Sequence, residues 1–226
     1  MSNRAVVFDS GTLINLSLNG LLYVLEGLKK SFKGKLLITE QVKYEVIDRP
    51  MGISKFELGA LRVKALLESG VLEMPESMGI SSSLISSRTN EFMTSANKVL
   101  IFKGQPVQIV SAGEMSCLAL SAELTAKGVD NIISIDERTT RVLCEEPRNL
   151  ERILSAKLHQ RLQTDISKLK MFSNFKFIRT TELVYAAFKL GLIAIEDKKA
   201  LEALLYATKF KGASISFEEI DVLKKM

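Results

Sequence analysis

The chain has 226 residues, 46% hydrophobic and 25% charged, the balance of a folded globular protein and not of a disordered one. Two Cys and one His exclude a disulfide framework and a Cys-based zinc site, so catalysis of any kind is expected to rest on carboxylates. Lys and Arg number 31 against 26 Asp and Glu, a net charge of +5 that puts polyanions such as nucleic acid among the expected partners.

The first element in the chain is the apolar run Ala5-Val6-Val7-Phe8, which predicts a strand buried on both faces and stopped by Asp9-Ser10-Gly11. Leu13, Leu16, Leu21, Val24, Leu25 and Leu28 then recur at helical spacing over 12–28. A second strand, Leu36-Leu37-Ile38, leads through Thr39 into a helix with Val42, Val46 and Ile47 that ends at Pro50 and Gly52. A third helix over 56–68 precedes a short strand, Val71-Leu72-Glu73-Met74. Residues 77–97 are rich in Ser, Thr and Asn, show no clear period, and read as a connection or small insertion. The run Val99-Leu100-Ile101-Phe102 fits either helix or strand.

Order returns at Ser111, before a helix with Met115, Leu118, Ala119 and Ala122, and then a buried strand, Ile132-Ile133-Ser134-Ile135, that stops at Asp136. A helix over 137–145 comes next, then one long amphipathic helix over 150–169 marked by Leu150, Leu154, Leu158, Leu162, Ile166 and Leu169. Its other positions include Arg152, Lys157, His159, Arg161 and Lys168. Phe175-Lys176-Phe177-Ile178 reads as the last strand, and helices over 181–190 and 197–209 finish the chain. Strands alternating with helices predict a parallel α/β sheet covered on both faces. The chain contains no run of about 18 apolar residues and no signal-type segment, so no membrane partner and cytoplasmic residence are expected.

Four acids stand at informative places. Asp9 and Asp136 each follow a buried strand, Glu45 lies in the helix after the second strand, and Glu114 opens a helix. Ligands of open α/β sheets bind beyond the carboxyl ends of the strands, so these four can converge there, and like charges that converge call for a hard divalent cation such as Mg²⁺ or Mn²⁺. Each acid also has a plainer use. Asp9 and Asp136 suit helix N-caps, Ser111-x-x-Glu114 suits a capping box, and Glu45 suits a solvated helix face. Val7-Phe8-Asp9-Ser10-Gly11-Thr12 is close to the phosphatase motif of haloacid dehalogenases, but Phe8 stands where the nucleophile would be, which excludes that chemistry.

The same residues resemble a PIN domain, the metal-dependent ribonuclease fold of toxin–antitoxin toxins and RNA-processing nucleases. The matching stretches are Val6-Val7-Phe8-Asp9-Ser10-Gly11-Thr12-Leu13-Ile14, Val42-Lys43-Tyr44-Glu45, Gly113-Glu114-Met115-Ser116-Cys117-Leu118-Ala119-Leu120 and Ile133-Ser134-Ile135-Asp136. The resemblance implies one domain over 1–226, a three-layer α/β/α sandwich around a mostly parallel sheet of about five strands. The Ser-rich stretch near 77–97 and a long basic helix near 148–170 would be insertions. It further implies a metal-dependent endoribonuclease in which Asp9, Glu45, Glu114 and Asp136 hold Mg²⁺ or Mn²⁺ for phosphodiester hydrolysis. Ser10, Ser134, Arg138 and Arg141 are candidate RNA or phosphate contacts, extended along Arg152, Lys157 and Arg161. Glu137 is a candidate outer ligand with a solvated first turn as its plainer use, and Cys117 and Cys144 read as small core residues. The partners expected are RNA and an antitoxin, another protein or a second copy. The alternatives are a PIN-like RNA-binding or assembly module that does not cleave, and an interaction protein using the 150–169 helix.

Overall fold

The computed structural model describes residues 3–97, 100–102, 105–106, 108–158, 163–164 and 166–226. Strand β1 (Arg4–Phe8) has four consecutive buried residues, so both of its faces are covered. Helix α1 (Ser10–Leu18) comes directly after it, capped by Asp9. Gly20, at φ +68°, then breaks the predicted 12–28 helix, and α2 (Val24–Phe32) starts afresh beyond it. Strand β2 (Lys35–Leu37) leads through the N-cap Thr39 to α3 (Glu40–Lys43). Its continuation widens into a π-helical turn, Tyr44–Asp48, and tightens into a 3₁₀ turn, Pro50–Gly52.

After α4 (Ser54–Glu68), the expected strand at Val71–Met74 is reduced to a single parallel bridge between Glu73 and Leu37. A 3₁₀ turn at Pro75–Met78 then precedes α5 (Ser82–Ala96), so the polar 77–97 stretch is mostly a helix and not an irregular connection. Ile85, Thr89, Phe92 and Ala96 form its buried face, at offsets of 4, 3 and 4 residues, and Ser81 caps it. Strand β3 (Leu100–Phe102) settles the undecided run as extended, and β4 (Gln105–Pro106) pairs with it antiparallel.

Helix α6 (Ala112–Ala126), strand β5 (Asp130–Ser134) and helix α7 (Arg138–Glu145) occur where the sequence places them. The long basic helix does not. A 3₁₀ turn at Pro147–Asn149 and α8 (Leu150–Leu158) are followed by β6 (Gln163–Thr164), which pairs with β3, and by a 3₁₀ helix over Ile166–Phe172. The leucine stripe is broken because tertiary contacts draw its end inward: Leu169 and Phe172 are buried in the main core. Arg152 is exposed on α8, whereas His159, Arg161 and the side chains of Lys157 and Lys168 lie outside the described residues. Strand β7 (Phe177–Ile178), α9 (Thr180–Lys189), α10 (Ala200–Phe210) and a further helix not expected from the sequence, α11 (Phe217–Lys225), complete the chain.

The main sheet is parallel, with four strands in the order β2-β1-β5-β7 where about five were expected. The chain leaves β1 toward β2 and leaves β5 toward β7, so the connections diverge between β1 and β5. In open α/β sheets ligands bind at such a divergence, outside the carboxyl ends of the two strands. Buried residues on both faces of β1, with helices packed against the sheet, give an α/β fold consistent with three layers. Strands β4, β3 and β6 make a separate small antiparallel sheet. Among the described residues no helix is long and apolar enough to cross a membrane.

The 166–172 segment is part of the core: Phe172 is fully buried, with its ring centroid 5.5 Å from that of Phe92 on α5. Truncating a buried Phe removes about 3–5 kcal/mol. Phe172→Ala is therefore expected to lower unfolding stability by that amount in urea denaturation, and a loss under about 1 kcal/mol would show that this segment is not anchored as described.

Candidate active site at the sheet crevice

The candidate residues lie just beyond the carboxyl ends of β1 and β5, where the connections diverge. Asp9 leaves β1 with its backbone N–H still bonded to the Ser134 carbonyl of β5, 3.0 Å away. Its side chain caps α1, with Oδ2 accepting from the Gly11 N–H at 3.1 Å. The other oxygen, Oδ1, is buried with no hydrogen-bond partner. Burial, then the charge of Glu114, then that of Glu45 push the Asp9 carboxyl up to about 7, against the pull of the Gly11 and Ser10 N–H groups.

Glu45 reaches the same region from the π-helical turn, a rare element found frequently at functional sites. Gln41 Nε2 donates to its Oε1 at 2.9 Å. The carboxylate lies so close to α6 that a Cβ placed on Gly113 would stand 2.7 Å from Oε2. Only a glycine at 113 admits Glu45 in this position, because any side chain there must displace it.

Glu114 forms the capping box that Ser111-x-x-Glu114 suggests: Ser111 N donates to Oε2 at 3.2 Å, and Glu114 N donates to Ser111 Oγ at 3.3 Å. Thr140 Oγ1 on α7 also donates to Oε2, at 2.5 Å. Burial raises the Glu114 carboxyl above its ordinary value, and the neighbouring Glu137 adds to this, while the Thr140 and Ser111 bonds oppose it. Behind these acids Cys117 is fully buried, its Sγ donating to the Phe8 carbonyl at 3.5 Å. Burial and the charges of Asp9, Glu45 and Glu114 hold its thiol well above the usual range. Cys117 and Cys144 are both free.

Asp136 is placed differently from the other three. Thr180 N donates to its Oδ1 at 2.8 Å, while Thr180 Oγ1 at 2.7 Å and Asn15 Nδ2 at 3.1 Å donate to Oδ2. It does not cap the following helix; that is done by Glu137, which accepts from Thr140 N at 2.9 Å. Glu137 is therefore neither a solvated first-turn residue nor joined to Asp136. Ser134, a candidate phosphate contact, is fully buried with its hydroxyl paired to Thr12 Oγ1 at 3.2 Å, which closes it to a ligand in this structure. Ser10 is half-buried at the start of α1. Arg138 is exposed, and Arg141 is half-buried and donates to the Ser214 carbonyl at 3.0 Å; both line a cleft beside α7.

Asp9, Glu45 and Glu114 thus share one electrostatic neighbourhood, while Asp136 is spent on the scaffold. An all-oxygen donor set with a buried, unpartnered Asp9 Oδ1 suits a hard cation in kind. Among the described residues, however, no three Asp, Glu, His or Cys side chains are gathered as a ready-made metal site. Asn15, Gly113, Thr140 and Thr180 were not singled out from the sequence. A detectable signal existed for Asn15, a polar residue on the apolar stripe of α1.

Comparison with protein-family models, curated proteins and solved structures finds no match to this chain.

The raised Asp9 carboxyl sets a pH dependence. Below pH 3.8 the group is protonated folded or unfolded and contributes nothing. Between 3.8 and about 7 the native state keeps a proton that the unfolded chain releases, so stability falls as pH rises, and above 7 the full cost is present. Asn at position 9 keeps the Gly11 cap without the charge. Asp9→Asn is expected to stabilise the protein at pH 8 by about 2 kcal/mol and to change little at pH 4, read from denaturation at both pH values. An effect equal at the two pH values would refute the buried-charge account.

Proposed function

We propose that the chain is a Mg²⁺- or Mn²⁺-dependent endoribonuclease whose working acids are Asp9, Glu45 and Glu114, of the toxin or RNA-processing kind that the PIN resemblance implies. The observation that carries this reading is Asp9 Oδ1: a buried carboxylate oxygen without a donor, beside two further carboxylates, at the switch point of a parallel sheet. Such an arrangement raises the energy of the ionised apo site, and a divalent cation would relieve it. Asp9, Glu45 and Glu114 would hold the ion. When bound, it supplies Lewis-acid polarisation of a phosphodiester and a lowered pKa for the attacking water.

The chain's own contribution is positioning. Gln41 orients Glu45, Gly113 gives it room, and Ser111 with Thr140 fixes Glu114. Asp136, bonded to Thr180 and Asn15, would hold β5, α1 and α9 in register around the site and would not ligate the ion.

That use of Asp136 also favours a second reading, an RNA-binding or assembly module with a site too incomplete to cut. The two readings differ in outcome. Under the nuclease reading, labelled mixed-sequence RNA is cut with Mg²⁺ or Mn²⁺ and not with EDTA, and Asp9→Asn and Glu114→Gln lower the rate by more than about a hundredfold. That exceeds the usual cost of losing one outer partner of a metal ligand. Mn²⁺ is expected to raise the melting temperature of the native protein and not of Asp9→Asn. RNA left intact under both metals, with no Mn²⁺-dependent shift, would eliminate the nuclease reading and leave the module.

Gly113→Ala tests the Glu45 position separately. The clash falls on the far end of a flexible side chain, so the melting temperature is expected to hold while cleavage drops at least tenfold. Cleavage at the native rate in this variant would remove Glu45 from the site.

A further inference from the structure

A second site lies across α7 from the acids. Thr140 faces Glu114, whereas Arg138 and Arg141, three residues apart on the same helix, line a cleft of about 530 Å³ together with Arg179 and Lys209. Its walls come from α7, the start of α9 and the turn joining α10 to α11. Four cations line it against two carboxylates, Glu145 and Glu219.

The cations are not equally engaged. Arg179 is ion-paired to Glu182 and Glu219, and Lys209 donates to the Ile215 carbonyl. Among the described residues, no carboxylate lies within ion-pair distance of Arg138 or Arg141. Arg141 Nε is buried with no acceptor at all. Burial and the nearby Arg179 charge disfavour the Arg141 cation, partly offset by the charges of Glu145, Glu182 and Asp136, and an anion in the cleft would offset them further.

Beside these charges stand exposed aromatic rings. Phe210, at the end of α10 and 72% exposed, also lines the cleft, and Phe217, at the start of α11, is 50% exposed. Their ring centroids are 6.5 Å apart, each is backed by Tyr206, and Lys209 Nζ lies 4.4 Å from the Phe217 ring. Cations that track a phosphate chain, with an exposed aromatic ring next to them, are the elements of single-strand recognition, since only unpaired bases can stack on such a ring.

We infer that this cleft binds a single-stranded nucleic acid, with phosphates on Arg138 and Arg141 and a base stacked on Phe210. The inference rests on the ribonuclease reading only for the choice of RNA as the polymer: it places the strand across α7 from the acids, and binding here does not require cleavage.

The test is fluorescence anisotropy of a labelled 20-nucleotide single-stranded RNA in EDTA with the full chain, so that a failed nuclease does not affect the readout. Arg138 and Phe210 are exposed, so Arg138→Gln and Phe210→Ala are expected to fold with unchanged melting temperatures. Each is expected to weaken binding by about tenfold, and Arg138→Gln to reduce the salt slope of log K by about 0.7, the loss of one single-strand phosphate contact. A blunt-ended RNA duplex of equal charge is expected to bind more weakly. Native affinity in both variants would overturn the inference, as would loss in Arg138→Gln alone, which would make the cleft a plain anion site. Loss of self-association in Phe210→Ala with RNA affinity unchanged would also overturn it, by assigning the rings to a protein contact.

Discussion

Two aspartates stand at one switch point under opposite constraints, and the surrounding structure depends on that difference. Asp136, two residues beyond β5, has both oxygens supplied with donors from α1 and α9, and its carbonyl accepts from Ser214 N at 3.3 Å. Asn15 extends the same joint by donating to the Thr208 carbonyl of α10 at 2.9 Å. A buried carboxylate so provided for ties together segments as far as 121 residues apart in sequence without leaving either of its oxygens unsatisfied. Asp9, at the end of the neighbouring strand, has one supplied oxygen and one with none. The fold satisfies the first acid completely and leaves the second in deficit. Deficits of that kind persist in native structures mainly where a ligand or a proton completes them.

How much of this could be read from the sequence depended on whether local chemistry or distant contacts decided each element. Val6-Val7-Phe8 and Ile132-Ile133 were legible as strands because a strand inside a covered parallel sheet is a near-continuous apolar run. The caps at Ser111 and Asp9 were legible because capping is settled within three residues. Helix α5 was missed because its exposed Ser, Thr and Asn positions outnumber the four residues that face the core, one of which is itself a Thr. The continuous 150–169 helix failed for the opposite reason. Its leucine spacing was real, but pairing of β6 with β3 and burial of Phe172 override a local period.

The same division runs through the site. Asp9, Glu45 and Glu114 stand where local sequence puts them, and in the structure Asp9 feels the charge of the other two. The use of Asp136 was not, because its partners Asn15 and Thr180 are 121 and 44 residues away and nothing in the local sequence marks them. Ser134 likewise reads locally as a polar residue at a strand end, while Thr12, on α1 just beyond the neighbouring strand, is what engages its hydroxyl.

Helix α7 is where these observations meet. In eight residues it supplies a hydroxyl to Glu114 on one side and two guanidinium groups to a cleft on the other, with Glu137 capping it between the two. Carboxylates repel a polyanion, so an acidic site that acts on nucleic acid needs cations placed near enough to offset that repulsion. They must also stand far enough away not to neutralise the acids by direct pairing. A single short helix stands between the two groups here: Arg141 donates one hydrogen bond to the Ser214 carbonyl and forms no ion pair with any of the three site acids, yet it is fixed to the same rigid element as Thr140. If the cleft and the acids act on one polymer as proposed, a strand held on the cationic side would be separated from the acids by the width of that one helix.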